Sequence, residues 1–128
     1  MVRKNRWALL EHSGASDDPT GIHFDFLLED KDGCRTWRIQ KIPILDGPSE
    51  EAIPLPLHRL EWLEISAGEV SRGRGWVRQV TAGVFSGELP DNDVDPVHIQ
   101  LHSQQIKGNL KIKNSLCKHC SLSISDSN

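Results

Sequence analysis

The stretch IHFDFLLEDKDGCRTWRIQ at residues 22–40 decides the fold. Its first half alternates in polarity, so Phe24, Phe26 and Leu28 share one face of a strand over residues 22–29. Residues 30–33 (DKDG) form a turn signal, because Asp tolerates turn geometry and Gly supplies a positive φ. Residues 34–40 then return as the partner strand. The stretch therefore predicts an antiparallel hairpin with one apolar face.

The remaining chain continues this β pattern, with Gly and Pro recurring at the spacing of hairpins. We predict short turns at 81–83 and 103–105, and loops at 13–21, 43–56 and 90–96. The further predicted strands cover residues 6–12, 60–65, 75–80, 84–89, 97–102 and 106–113. The fold class is mostly β: a small closed or partly closed antiparallel barrel of about eight strands with little helix. Inward polar side chains would meet at its mouth.

Length, charge and composition limit the functions that are possible. The chain has 128 residues, which suits one domain, and we expect the barrel over 1–113 and a flexible Ser- and Cys-containing tail over 114–128. A net charge of -3 argues against sequence-independent coating of long nucleic acid. No apolar run is long enough to span a membrane, and no export signal is visible, so we expect a cytoplasmic protein without a membrane partner.

Two histidines and one carboxylate form the candidate site. His23 and Asp25 lie two residues apart and share a strand face, opposite the apolar one. His12 ends the preceding predicted strand and can return beside them. Such an N,N,O donor set suits a divalent transition metal and leaves positions open for water or a phosphate oxygen. The same pattern also occurs on solvated sheet faces that bind nothing.

The C-terminal segment carries a second candidate, Cys117-Lys118-His119-Cys120. A structural zinc site takes four ligands, usually from two such pairs, and only one pair is present here. With three cysteines and no export signal, a disulfide scaffold is not expected either. We therefore favour a solvated tail over a zinc site.

An ordered series of motifs carries a family resemblance. His12 precedes HFDFLLE at 23–29, and TWRIQK at 36–41 and HRLEW at 58–62 follow. Glycine-bearing stretches at 68–77 and a closing pair of strands at 99–112 complete the series. In this order the motifs resemble the 3'-phosphoesterase domain of bacterial ATP-dependent DNA ligase D, and more closely its small stand-alone relatives, over residues 7–113.

The resemblance implies a compact β-barrel that removes a 3'-phosphate or a terminal ribonucleotide at DNA breaks. It implies Mn²⁺ as the cofactor, with Zn²⁺ as the alternative, and His12, His23 and Asp25 as its ligands. His58 corresponds to a histidine that contacts the reacting phosphate, and Lys41 to a basic residue near the site. The implied partners are nucleic-acid 3' ends and the ligase or polymerase proteins of DNA repair.

The sequence departs from this family at three positions. Leu27 stands where the family has an arginine that grips phosphate, Leu10 where it has a glutamine, and Trp62 where it has a tyrosine. Arg72 and Arg74 are candidates for the missing positive charge, although a glycine-rich hairpin with solvated arginines is the simpler interpretation of their loop. Trp62 is a candidate for stacking on a terminal base. Restoring the family's arginine with Leu27→Arg should therefore raise activity. An unchanged rate would mean that this protein holds the phosphate with other residues.

We therefore predict a metal-dependent phosphoesterase resembling the DNA-end 3'-phosphoesterases. One alternative is a catalytically weak or inactive module of the same fold that binds nucleic-acid ends. The other is a small-molecule phosphatase that uses the same metal.

Overall fold

The computed structural model of the chain describes residues 5–70, 73–114 and 119–126, with the backbone alone for residues 18–20. These residues form nine strands and one 3-10 helix, Leu60–Leu63, with no α-helix among them. In chain order the strands are β1 (Asn5–Ala15), β2 (Asp18–Glu29), β3 (Cys34–Ile39), β4 (Glu50–His58), β5 (Ala67–Glu69), β6 (Trp76–Ser86), β7 (Val97–His102), β8 (Lys107–Asn114) and β9 (Cys120–Ser125). Within this part of the chain, no helix has the length and apolar character needed to cross a membrane.

The strands form one antiparallel sheet that closes on itself. Its order is β1-β2-β3-β4-β9-β8-β7-β6-β5, and an additional pairing of β1 with β6 completes a ring of eight strands. Strand β5 lies outside the ring, against the first residues of β6. The β4–β9 pairing spans only Glu50 to Ala52, so the barrel is partly closed. The predicted mostly-β barrel fold with little helix is confirmed.

Two apolar clusters lie on opposite faces of this sheet. The interior cluster contains Trp7, Leu9, Phe26 and Leu28 together with residues of β3, β4 and β6 to β9. Alternate residues of β1 and β2 point the other way. They form an outer cluster with residues of β3, β6, the 3-10 helix and the segment that follows the helix. Its buried members are Ala8, Leu10, Leu27, Cys34, Leu63, Val70 and Val77. The outer face of β1 and β2 is therefore covered rather than solvated.

The predicted loop at residues 13–21 is wrong. Strand β1 continues to Ala15 and β2 begins at Asp18, so Ser16 and Asp17 alone connect them. The register of β1 with β2 shifts between Ser13 and Ala15, so the polar residues near the hairpin tip form an irregular strand end. The result is a long hairpin whose tip stands beside the candidate site.

The predicted turn at residues 81–83 is also wrong, because β6 runs straight through it. Gly83 pairs with Trp7 on one side. On the other, a Cβ at Gly83 would lie 1.9 Å from the His102 carbonyl oxygen, so the glycine permits close strand approach rather than a turn. The predicted strand at 60–65 is instead the 3-10 helix, which brings Leu63 into the outer cluster.

Strand β4 occupies much of the predicted loop at 43–56. Pro54 pairs with Trp37 of β3, whereas the pairings of β4 with β9 cover Glu50 to Ala52. Among the described residues, Pro54 and Pro56 therefore lie on an edge, where a missing N–H costs no ladder hydrogen bond. This is why a proline-rich segment can be a strand here.

Part of the predicted flexible tail belongs to the barrel. Cys120–Ser125 is β9, paired with β4 and β8. Cys120, Leu122 and Ile124 are buried in the interior cluster, and their period-2 spacing is that of a half-buried strand. The domain boundary predicted at residue 113 is therefore wrong. Residues 115–118, including Cys117, and residues 127–128 lie outside the described part of the chain.

Candidate metal centre and cleft

The three predicted metal-ligating side chains lie on two adjacent strands. His12 of β1 is directly opposite His23 of β2, and Leu10 is opposite Asp25. Directly opposed residues of an antiparallel pair point to the same face, and so do residues two apart on one strand. The register of one hairpin is therefore sufficient to bring both imidazoles and the carboxylate together.

The distances within this cluster suit a cation. His12 Nδ1 is 3.8 Å from Asp25 Oδ2, and His23 Nε2 is 3.6 Å from Asp25 Oδ1. One ligand atom from each of the three residues lies within 4.8 Å of the others, and this is the one such group among the described residues. Ligands about 2.1 Å from a shared ion are themselves roughly 3–4 Å apart, so small rotations suffice. Asp25 Oδ1 is buried and accepts no hydrogen bond, which leaves it available as a ligand.

His23 is held in the form that binds metals. Its side chain is 1% exposed. Desolvation lowers the pKa of His23 below its usual value; the carboxylate of Asp25 opposes this shift, and the positive charge of Arg38 adds to it. At neutral pH the ring is therefore neutral, and a neutral imidazole can offer a lone pair.

A backbone carbonyl sets the tautomer of His12. Its Nε2 lies 2.8 Å from the carbonyl oxygen of Arg74, which can only accept a hydrogen bond. In the neutral ring Nε2 therefore carries the hydrogen, and the lone pair of Nδ1 is free to bind a cation placed between it and Asp25, as in many metal sites. Gly75 makes this approach possible: its φ is +103°, and a Cβ would lie 2.2 Å from the Ser13 carbonyl oxygen.

A cleft of about 680 Å³ opens directly over Asp25 and His12. Three further predicted residues, His58, Trp62 and Arg74, line the same cleft. They come from the end of β4, the 3-10 helix and the segment before β6. The structure thus brings residues distant in sequence around one space, which is the size of a small-molecule or single-nucleotide site.

The His58 ring is also oriented by a carbonyl. Its Nδ1 lies 3.0 Å from the carbonyl oxygen of Pro56, so Nδ1 donates and Nε2 remains to exchange a proton or accept a hydrogen bond. His58 therefore has a defined tautomer in the cleft that His12 and Asp25 also line.

Two other predicted residues are not brought to this cleft by the described structure. Lys41 is exposed, follows the end of β3 and is not among the residues that line the cleft. Arg72 lies outside the described residues. At the C-terminal segment, where a zinc site was not favoured, Cys120 is buried and its thiol donates a hydrogen bond to Asn114 Oδ1 at 3.1 Å.

The location of the site differs from the predicted barrel mouth. His12, His23 and Asp25 continue the face that carries Leu10 and Leu27, which is the outer face of the sheet. The barrel interior is filled mainly by the large apolar side chains of the interior cluster. The cleft instead lies between the outer face and the 3-10 helix segment.

Arg38 and Asp17 were missed by the analysis of the sequence, and both line the cleft. Arg38 of β3 is directly opposite Asp25, and Asp17 is at the tip of the β1–β2 hairpin. A signal for Arg38 was present, because the turn at residues 30–33 determines the register of β2 with β3. Asp17 carried no signal, since a tight hairpin was not predicted there.

No protein-family model matches the chain, and no curated protein sequence matches it significantly.

Proposed function

We propose that this chain is a divalent-metal-dependent phosphoesterase that acts on the 3' ends of nucleic acid. The convergence of His12, His23 and Asp25, two of which (His12 and Asp25) line a cleft together with His58 and Trp62, is the observation that carries the proposal. The ordered motifs that resemble the ligase D 3'-phosphoesterase domain support the choice of substrate.

The charges of the cleft favour an anionic substrate once a cation is bound. Among the described lining residues, Arg38, Arg59 and Arg74 are balanced by Asp17, Asp25 and Glu61. A divalent cation makes the sum positive, and a phosphate group is then attracted to the cleft. A chain with net charge -3 suits contact with an end rather than with a long duplex.

Each side chain has a defined task in this mechanism. His12, His23 and Asp25 would hold the cation, which would supply Lewis-acid polarisation of a phosphoryl oxygen and acidify bound water. His58 exchanges a proton through Nε2, so it can stabilise the transferring group or protonate the leaving oxygen. Trp62 offers an aromatic surface to the terminal base.

The direct test uses a primer-template that ends in a 3'-phosphate or a 3'-ribonucleotide, incubated with purified protein and Mn²⁺. We expect loss of the terminal group, and His23→Ala should reduce the rate by more than the roughly 10–100-fold that loss of an outer-shell partner costs. His98→Ala is the matched control, because His98 is exposed on β7 and lies outside the cleft lining. It should retain full activity.

The alternative is an end-binding module that does not turn over substrate. The observation that favours it is Leu27, which is buried in the outer cluster and cannot supply the arginine of the family pattern. Tight binding of the same primer-template without product, with either Mn²⁺ or Zn²⁺, would support this alternative. Equal activity of wild type and His23→Ala would refute the proposed metal site.

A further inference from the structure

Arg38 places a guanidinium immediately beside the proposed metal centre. It is opposite Asp25 in the β2–β3 ladder, so the two side chains leave the same face of the sheet on neighbouring strands. Both line the cleft, and the charge of Arg38 acts on His23 as well. Nothing in the family resemblance assigns this residue a role.

The guanidinium of Arg38 is held by one hydrogen bond and has a further N–H without an acceptor. Its Nη1 donates to Asp17 Oδ2 at 2.8 Å, and its Nε is buried without a hydrogen-bond acceptor. Its side chain is 21% exposed, so it faces the cleft from a packed position. An arginine fork matches the oxygens of a phosphate in two-bond geometry, which a lysine cannot do.

Asp17 occupies the place where such an anion would bind. It lies at the hairpin tip with its side chain 64% exposed. The hydrogen bond from Arg38 lowers the pKa of Asp17, so it is a carboxylate at neutral pH. An exposed ion pair of this kind contributes little free energy, and a dianionic phosphate can displace it.

We propose that Arg38 holds the anionic group of the substrate next to the His12–His23–Asp25 cluster, and that the Asp17 carboxylate takes this position when no substrate is bound. Arg38 thereby supplies, from β3, the charge that Leu27 cannot supply from β2. The inference rests on the proposed function, since it specifies how that site recognises phosphate. It also makes Asp17 a competitor of the substrate.

Calorimetric titration of inorganic phosphate into the protein, loaded with stoichiometric Mn²⁺, tests this directly. Arg38→Met should weaken phosphate binding at least about tenfold, the loss of a charge-assisted pair. The phosphate affinity of Arg38→Lys should lie between those of wild type and Arg38→Met, because lysine keeps the charge but lacks the forked geometry of the guanidinium. Asp17→Asn should tighten phosphate binding about threefold to tenfold by removing the competitor.

The double variant provides the sharpest comparison. If Asp17 acts through Arg38, then Asp17→Asn adds nothing in the Arg38→Met background. Arg78→Met is the matched control, since Arg78 is an exposed strand arginine paired with Glu11 at 3.1 Å outside the cleft lining. It should leave phosphate affinity unchanged. Circular dichroism melts establish that every variant is folded.

The outcomes separate this inference from the proposed function. Unchanged phosphate affinity in Arg38→Met and Asp17→Asn overturns the inference, as does a wild type that binds no phosphate. Failure of Mn²⁺ to bind, or of turnover to occur, counts against the proposed function alone. In that case the same ranking of variants is expected in metal-free protein.

Discussion

Leu27 shares a strand face with His23 and Asp25 but has the opposite character. It is 0% exposed, and it packs in the outer cluster among residues that include Leu10 and Leu63. The polar cluster and the apolar cluster are therefore consecutive on one face of β2. The apolar part anchors the 3-10 helix segment that forms the far wall of the cleft.

Replacement of Leu27 by arginine should destabilise the protein. A guanidinium at this buried position would be desolvated among the apolar side chains of the outer cluster, so Leu27→Arg should cost more than the roughly 2–5 kcal/mol typical of a buried Leu→Ala change. Urea unfolding measures the free energy of unfolding. Leu27→Met is the control and should cost less than about 1.5 kcal/mol. If Leu27→Arg is as stable as wild type and more active, the position is a phosphate site after all.

The candidate ligands were predictable from the sequence because they need only local information. The two-residue period of β2 puts His23 and Asp25 on one face, and a hairpin brings His12 back to them. The covering of that face was not predictable, because it depends on contacts between Leu27 and Leu63, which are far apart in sequence. A strand face that carries both polar and buried apolar residues does not reveal whether it points into the barrel or away from it.

Strand β9 closes the gap between β4 and β8. It pairs with β8 over Cys120 to Ser125 but with β4 over only three residue pairs. The alternation of buried and half-buried residues shows that its apolar side chains complete the interior cluster. The ring therefore depends on a segment that composition alone assigns to a tail.

Truncation of a buried β9 side chain should therefore destabilise the whole protein. Leu122→Ala removes a 0% exposed side chain from the interior cluster and should cost about 2–5 kcal/mol in free energy of unfolding. Ser123→Ala, one residue along and on the other face, should change it by less than about 0.5 kcal/mol. Both are measured by urea unfolding. Equal stability of Leu122→Ala and wild type would mean that β9 is not part of the folded core.

Elements with strong local signals were predicted, and those defined by partners were missed. The predicted strands at 22–29 and 34–40 overlap β2 and β3, because their alternation and turn are local. Strand β4 was missed because prolines are tolerated in a strand mainly at an edge, and only the structure shows that the described part of β9 pairs with β4 no further than Ala52. The break predicted at 81–83 was wrong because Gly83 serves strand approach rather than a turn.

At the scale of the whole molecule, the candidate site connects the strands that close the ring. Strand β1 pairs with β2 on one side and with β6 on the other. His12 belongs to β1, its imidazole is oriented by the backbone just before β6, and the other two candidate ligands are on β2. A cation bound at this cluster would therefore help to hold together the strands that close the barrel.

Binding of a divalent transition metal should raise the melting temperature of the entire domain. A ligand that binds only the folded state at about 100 times its Kd stabilises by roughly 2.7 kcal/mol, which for a domain of this size is a rise of about 10 °C. Differential scanning calorimetry with Mn²⁺ and with Zn²⁺ measures it. His12→Ala should abolish the rise, whereas His98→Ala should retain it. Because imidazole ligands favour transition metals over Ca²⁺, an equal rise with Ca²⁺ would indicate binding to surface carboxylates and contradict the His12–His23–Asp25 site.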